Sequence, residues 1–261
     1  MIKLVVTDMD GTFLNDKKEF SNEFWEIHSE MEKKGIKFVV ASGRQYQNLR
    51  KNFDKIKNKI VFIAENGSYV VEKEKEKEIY SRILSKDIIK KYVEIGRKIP
   101  TTNVVLCGKK SAYIESTEKK FIKEVEKYYE ERKIVSNLLD VLDDEIIKIT
   151  YCDLSGTERN VYPYVKNEKD CQIVVSGEIW LDISHLESNK GIALEALQKE
   201  LGISYEETMI FGDYLNDFEM LKKGKYSFAM ENAHEEIKKI SNFIAKSNND
   251  NGVLEELKKI I

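Results

Sequence analysis

The most constraining feature of the chain is an apolar run near its start, Ile2, Leu4, Val5 and Val6, that ends abruptly in Asp8-Met9-Asp10-Gly11-Thr12. A run this rich in β-branched residues reads as a strand buried on both faces, and such strands belong to parallel sheets covered by helices. Two carboxylates at its C-terminal end sit where open α/β sheets bind ligands. Buried without a partner they are costly, and a cation between them removes the cost. Asp8 then has the chemistry of a nucleophile, and Asp10 that of a group passing a proton to a leaving group. Two ordinary readings compete. Asp10-Gly11 suits a simple turn. Asp8, Asp10, Thr12 and Glu19 fall at calcium-loop ligand positions, but Phe13 stands where that loop requires glycine, and a strand rather than a helix leads in.

The segments that follow repeat the theme. Ser21 is a candidate N-cap for a helix reaching Lys34, with Phe24, Ile27 and Met31 on its apolar stripe and Gly35 closing it. A second apolar run, Lys37 to Ala41, ends in Ser42-Gly43-Arg44, giving a βαβ unit with a right-handed crossover. Ser42 and the backbone after it can donate to an anion, and Arg44 adds charge; a capping serine with a surface arginine fits the same residues. A third run, Ile60 to Ala64, leads through Glu65-Asn66-Gly67 into Tyr69-Val70-Val71, a hairpin signature. The alternating charges of Glu72 to Glu78 fit a solvated hairpin tip or a short linker.

From Leu84 to Ser184 the texture changes to helix, two short strands, helix, strand, a polar stretch and two short strands, which predicts an antiparallel α+β module with its helices on one side. The α/β rhythm then resumes. Ser188-Asn189-Lys190-Gly191 opens a helix with Lys190 in its first turn, where the helix dipole disfavours a cation and where lysine and helix N-terminus together suit a phosphate. The strand Thr208 to Phe211 ends in Gly212-Asp213-Tyr214-Leu215-Asn216-Asp217, so that Asp213 and Asp217 can complete a hard-cation site with Asp8. The predicted domains are 1–83 with 185–261, interrupted by 84–184.

A net charge of −3 with 34% charged residues gives no reason to expect a nucleic-acid partner. No apolar run approaches membrane length and no leader precedes the first strand, so the expectation is a cytoplasmic protein without membrane partners. Cys107, Cys152 and Cys171 lack metal or disulfide spacing and read as small buried apolar residues in a reducing compartment. The sequence leaves the oligomeric state open.

Taken in order, Asp8-Met9-Asp10-Gly11-Thr12, Ala41-Ser42-Gly43-Arg44, Asn189-Lys190-Gly191 and Gly212-Asp213-Tyr214-Leu215-Asn216-Asp217 resemble the four motifs of the haloacid dehalogenase superfamily of phosphatases, in particular the Cof-like hydrolases with a type IIB cap. The resemblance implies an α/β fold, a Rossmann-like parallel-sheet core with an inserted α+β cap domain. It implies Mg²⁺-dependent hydrolysis of a small phosphomonoester (a sugar phosphate, nucleotide or phosphorylated cofactor) through an aspartyl-phosphate. Asp8, Asp10 and Lys190 would be catalytic. Thr12, Ser42, Gly43, Arg44, Asn66, Lys190 and Asn216 would contact phosphate or substrate, and Asp8, Asp10, Asp213 and Asp217 would hold the metal. A phosphotransferase or mutase using the same intermediate, and a non-catalytic sensor of phosphorylated ligands, are the alternatives; release of inorganic phosphate separates them.

Overall fold

The computed structural model describes residues 1–54, 60–141 and 143–261. The chain divides into two compact units, Met1–Gly43 with Phe53–Tyr80 and Asn189–Ile261, and Arg44–Asn52 with Ser81–Ser188.

The first unit is built on an eight-stranded sheet in the spatial order Phe243–Ala245, Tyr226–Met230, Thr208–Gly212, Leu4–Asp8, Lys37–Ala41, Ile60–Ala64, Tyr69–Glu72, Lys77–Ser81. Strands from Phe243–Ala245 through Ile60–Ala64 pair in parallel, and Tyr69–Glu72 runs antiparallel to Ile60–Ala64. Leu4–Asp8 is buried at every position, as a central parallel strand must be. Its neighbours are fixed by register: Leu4 faces Thr208, and Asp8 faces Ala41. That register sets Asp8, Ser42 and Asp213 at the same C-terminal edge of three adjacent strands. Beneath the sheet, Phe13, Phe24, Phe38 and Phe53 pack with ring centroids about 5–6 Å apart, within the range that favours tilted and edge contacts. The helix after the first strand spans Phe24–Lys33, not Ser21 onward: the Ser21 side chain accepts from Glu23 N, two residues too early to cap it, and Glu23 caps the helix without a side-chain bond. The Glu72–Glu78 charges straddle a hairpin, with strands on either side of a turn at residues 73–76.

The second unit carries a six-stranded sheet in the order Gln172–Gly177, Trp180–Ser184, Ile146–Cys152, Asn103–Gly108, Ala112–Ile114, Arg132–Ile134. All neighbours are antiparallel except the last pair. Its helices do not share one side. Tyr92 and Val93 of Lys86–Lys98 pack with Val104, Leu106, Ile149 and Tyr151, whereas Phe121 and Val125 of Lys119–Tyr128 pack with Val105, Cys107 and Cys152. Successive strand residues point to opposite faces, so the two helices cover opposite faces. Where this unit is inserted, Arg82 Nε donates to Glu187 Oε2 at 2.7 Å, bringing its incoming and outgoing segments together. Among the described residues no helix is long and apolar enough to cross a membrane.

Gly67 shows how closely the first unit is drawn together. It sits at φ +98°, and a methyl group there would run into the backbone of Asn189 and Lys190. Gly67→Ala is expected to cost about 1–3 kcal/mol in backbone strain alone, with the close approach of Asn189 and Lys190 adding to it, read as a lower chemical-denaturation midpoint; an unchanged midpoint would show that neither the positive φ nor the close approach is present.

Candidate active site

The site grows from a helix start. Asn189 caps Lys190–Leu201, its Oδ1 accepting from Ile192 N at 2.8 Å, and so delivers Lys190 as the first helical residue. Gly191 lets the helix approach the chain at Glu219, since a Cβ would lie 2.7 Å from that backbone. Lys190 is 1% exposed, and its Nζ donates to Asp8 Oδ1 at 2.5 Å and to Asp217 Oδ1 at 2.7 Å. The other oxygen of Asp217 accepts from the backbone N–H groups of Asp213 and Tyr214 at 3.0 and 3.3 Å, which folds the Gly212–Asp217 loop back over the strand end. Gly212 is required there, because a Cβ would press on the Asp217 carboxylate.

Asp213 is the third acid. Thr12 Oγ1 donates to its Oδ1 at 2.7 Å, and Gly11, at φ +87°, leaves the space its carboxylate fills. Thr12, expected at the phosphate, hydrogen-bonds Asp213 here. Carboxylate oxygens of Asp8, Asp213 and Asp217 lie within 4.8 Å of one another. Three acids face one ammonium, and the titration behaviour follows. Burial pushes the Asp8 carboxyl well above its ordinary value, with Asp217 and Asp213 adding to the push and Lys190 opposing it. Burial likewise raises Asp213 to about 6, against the pull of Thr12. Burial alone would lower Lys190, but the charges of Asp217 and Asp8 outweigh it and hold the ammonium above its ordinary value. Lysine stays charged, and the surplus is negative. A compact, oxygen-only donor set with surplus negative charge fits a hard divalent cation.

On the other side of Asp8 lie the groups suited to an oxyanion. Ser42 is buried, its N–H bonded to Ile63 O at 2.8 Å and its carbonyl accepting from Asn66 N at 3.0 Å. Asn66 stands at φ +53°, within the hairpin loop, and its Oδ1 accepts from Asn216 Nδ2 at 3.1 Å. A Cβ at Gly43 would sit 3.0 Å from the Asn66 side chain. Ser42, Gly43, Asn66, Asn216 and Lys190 are thus gathered in one unit, while Arg44 belongs to the other. Asp10, at the turn after the strand, receives Lys18 Nζ on Oδ1 at 2.8 Å. Lys18 carries no motif signal, and neither does Asn248, whose Nδ2 donates to Leu14 O at 2.9 Å.

A profile of the haloacid dehalogenase-like hydrolases matches residues 5–257. A 5-amino-6-(5-phospho-D-ribitylamino)uracil phosphatase of Escherichia coli is 38% identical over 268 residues, covering 100% of this chain and 96% of its own. A phosphatase of Bacillus subtilis with the same activity in its name is 26% identical over 98% and 95% of the two chains. A solved structure from Eubacterium rectale superposes with a TM-score of 0.89 at 27% identity, covering 100% of this chain and 99% of that one.

The raised Asp213 value carries a signed expectation. Its folded value of about 6 exceeds the ordinary 3.8, so the folded state binds the proton more tightly. The resulting stabilisation is full below the ordinary value and is lost as pH rises between the two. Without divalent cation, thermal stability should fall across that window by more in the wild type than in Asp213→Asn. Added Mg²⁺ should raise the melting temperature at neutral pH and little at pH below the window. A melting temperature indifferent to Mg²⁺ at both pH values would contradict the cation site.

Proposed function

The chain belongs to the haloacid dehalogenase-like hydrolases and is a phosphatase, and on that premise we propose that it hydrolyses a small polyol phosphomonoester carried on a heterocycle, the phosphoribitylamino-uracil type, through a phosphorylated Asp8. The observation that carries the mechanism is the Lys190 ammonium held between Asp8 and Asp217 at the C-terminal edge of the central strands. The substrate type is supported by two relatives, matched over essentially the whole chain, whose names print that activity.

Phosphomonoester hydrolysis is among the slowest uncatalysed reactions, needing accelerations up to roughly 10²¹-fold, so several charge-stabilising groups must act together. Asp8 attacks phosphorus as the P–O bond to the leaving alcohol breaks, and Asp10 gives that oxygen its proton. A water then attacks the phosphorus of the aspartyl-phosphate, with Asp10 taking its proton; inorganic phosphate leaves and Asp8 is regenerated. Lys190 and Ser42 hold phosphoryl oxygens, Asn66 and Asn216 border them, and Lys190 offsets the charge that repels a carboxylate from a phosphate dianion. Asp8, Asp213 and the Asp10 carbonyl would hold Mg²⁺, which when bound supplies further charge neutralisation. Thr12 aims Asp213. Asp217, both oxygens already engaged, steadies Lys190 and the loop. Selectivity is assigned to the inserted unit acting as a cap.

The test is phosphate release from a panel of phosphorylated metabolites that includes the ribitylamino-uracil phosphate, with Mg²⁺. The expected result is preference for that compound and liberation of inorganic phosphate; equal rates across the panel, or phosphate transferred to an acceptor, would overturn it. Asp8→Asn, nearly isosteric but without the attacking charge, should lower kcat by about 10³-fold or more in a protein that stays folded, because Asp217 still pairs with Lys190. Lys190→Met should also remove activity, but it leaves two buried carboxylates unpaired and should cost about 3–5 kcal/mol of stability, so only the Asp8 variant isolates the chemistry.

A further inference from the structure

Lys18 lies outside every motif, yet it touches the carboxylate on which the proton steps depend, with Nζ 2.8 Å from Asp10 Oδ1. Its loop is tied down to put it there. Asn15 Oδ1 accepts from the N–H groups of Lys17 and Glu19 at 2.9 and 3.0 Å, and the backbones of Asn15 and Glu19 close the turn at 2.9 Å. Lys18 itself is in the left-handed region, at φ +63°, which residues with a Cβ seldom occupy. Asp16 beside it is gripped by Asn248 and Asn249, through Oδ1 at 3.3 Å and Oδ2 at 3.0 Å, and its N–H donates to Asn249 Oδ1 at 3.1 Å. Asn232, which accepts from Asn248 N, donates to Gly11 O at 2.8 Å on the other flank of Asp10. The Lys18–Asp10 pair is solvent-accessible, the side chains 60% and 38% exposed, and a pair so exposed adds little to stability. Stability therefore does not account for a strained, multiply anchored turn that ends on this one carboxylate.

We infer that Lys18 is a positioning residue: by holding one oxygen of Asp10 it fixes the side-chain rotamer, and so where the carboxyl group meets the leaving oxygen. The inference rests on the proton-transfer role proposed for Asp10. A rotamer held in advance removes a search that the proton step would otherwise include.

The experiment compares two esters by what their leaving groups need. β-Glycerophosphate releases an alkoxide that must be protonated; p-nitrophenyl phosphate releases a phenolate that leaves without help. With the whole protein and Mg²⁺, the readout is kcat/KM, which extends only as far as leaving-group release and not to the later water step that both esters share; Lys18→Met should lower it by about 10-fold or more for β-glycerophosphate, with a clearly smaller loss for p-nitrophenyl phosphate. Lys18→Arg should recover β-glycerophosphate turnover, so that the selective loss disappears. Asp10→Asn, assayed alongside, should show the same selectivity more strongly. If Asp10→Asn lowers kcat/KM equally for both esters, the Asp10 role and the Lys18 role fall together. If Asp10→Asn separates the esters while Lys18→Met lowers both equally, or raises KM alone, Asp10 keeps its role and Lys18 is merely structural or a phosphate-binding charge.

Discussion

The structure of the first unit depends on one buried ammonium. Lys190 joins the first strand, 182 residues earlier in the chain, to the Gly212–Asp217 loop 27 residues later. Taking a lysine out of water is expensive, and the expense is offset only where the geometry is close and further hydrogen bonds complete the partners. Both conditions are met: the contacts are short, and the second oxygen of Asp217 is held by two backbone N–H groups. The glycines at positions 67, 191 and 212 serve the same end, each sitting where a Cβ would collide with backbone or with Asp217. Removing side chains at those points is what allows three strand ends and a helix start to converge on one charge.

The parts of this arrangement that were legible in the sequence are local ones. Asp8, Ser42 and Asp213 each follow an apolar run, so their place at a strand end follows from hydrophobic patterning, and Asn189 announces its helix by its capping chemistry. The hairpin at Asn66-Gly67 was equally readable, because positive φ suits those residue types. Three things were not. Ser21 has the right chemistry for a cap but sits in a preceding turn, and nothing in the residues from Ser21 to Glu23 says which of them ends that turn. In the inserted unit, Val104, Val105, Leu106 and Cys107 are all apolar and all buried, a pattern that fits helices on one face or on both. Lys18 hides in a charged stretch, Asp16-Lys17-Lys18-Glu19, indistinguishable from a solvated loop until Asn248, 232 residues from Asp16, is seen to hold it.

The Thr12 hydroxyl makes a related point about motifs. Its presence beside Asp8 was plain, but its hydrogen-bond partner is Asp213, 201 residues away along the chain, a separation no periodicity encodes. A motif names the residue types that meet at a site; the hydrogen bonds decide which of them face a ligand and which only aim their neighbours.

The bridge between Arg82 and Glu187 bears on how such a chain tolerates its own interruption. An insertion whose two ends are already joined presents the rest of the chain with a gap that is closed rather than one that must be spanned. Loop-closure entropy rises only with the logarithm of length, each doubling costing roughly 0.6 kcal/mol, so the size of what lies between those ends scarcely weighs on the sheet around Asp8. The inserted unit is therefore at liberty to lengthen, shorten or change its sequence while the strand ends around Asp8 stay where they are. A chain built this way can remodel its insertion without relearning how to fold the strand ends that carry Asp8, Ser42 and Asp213.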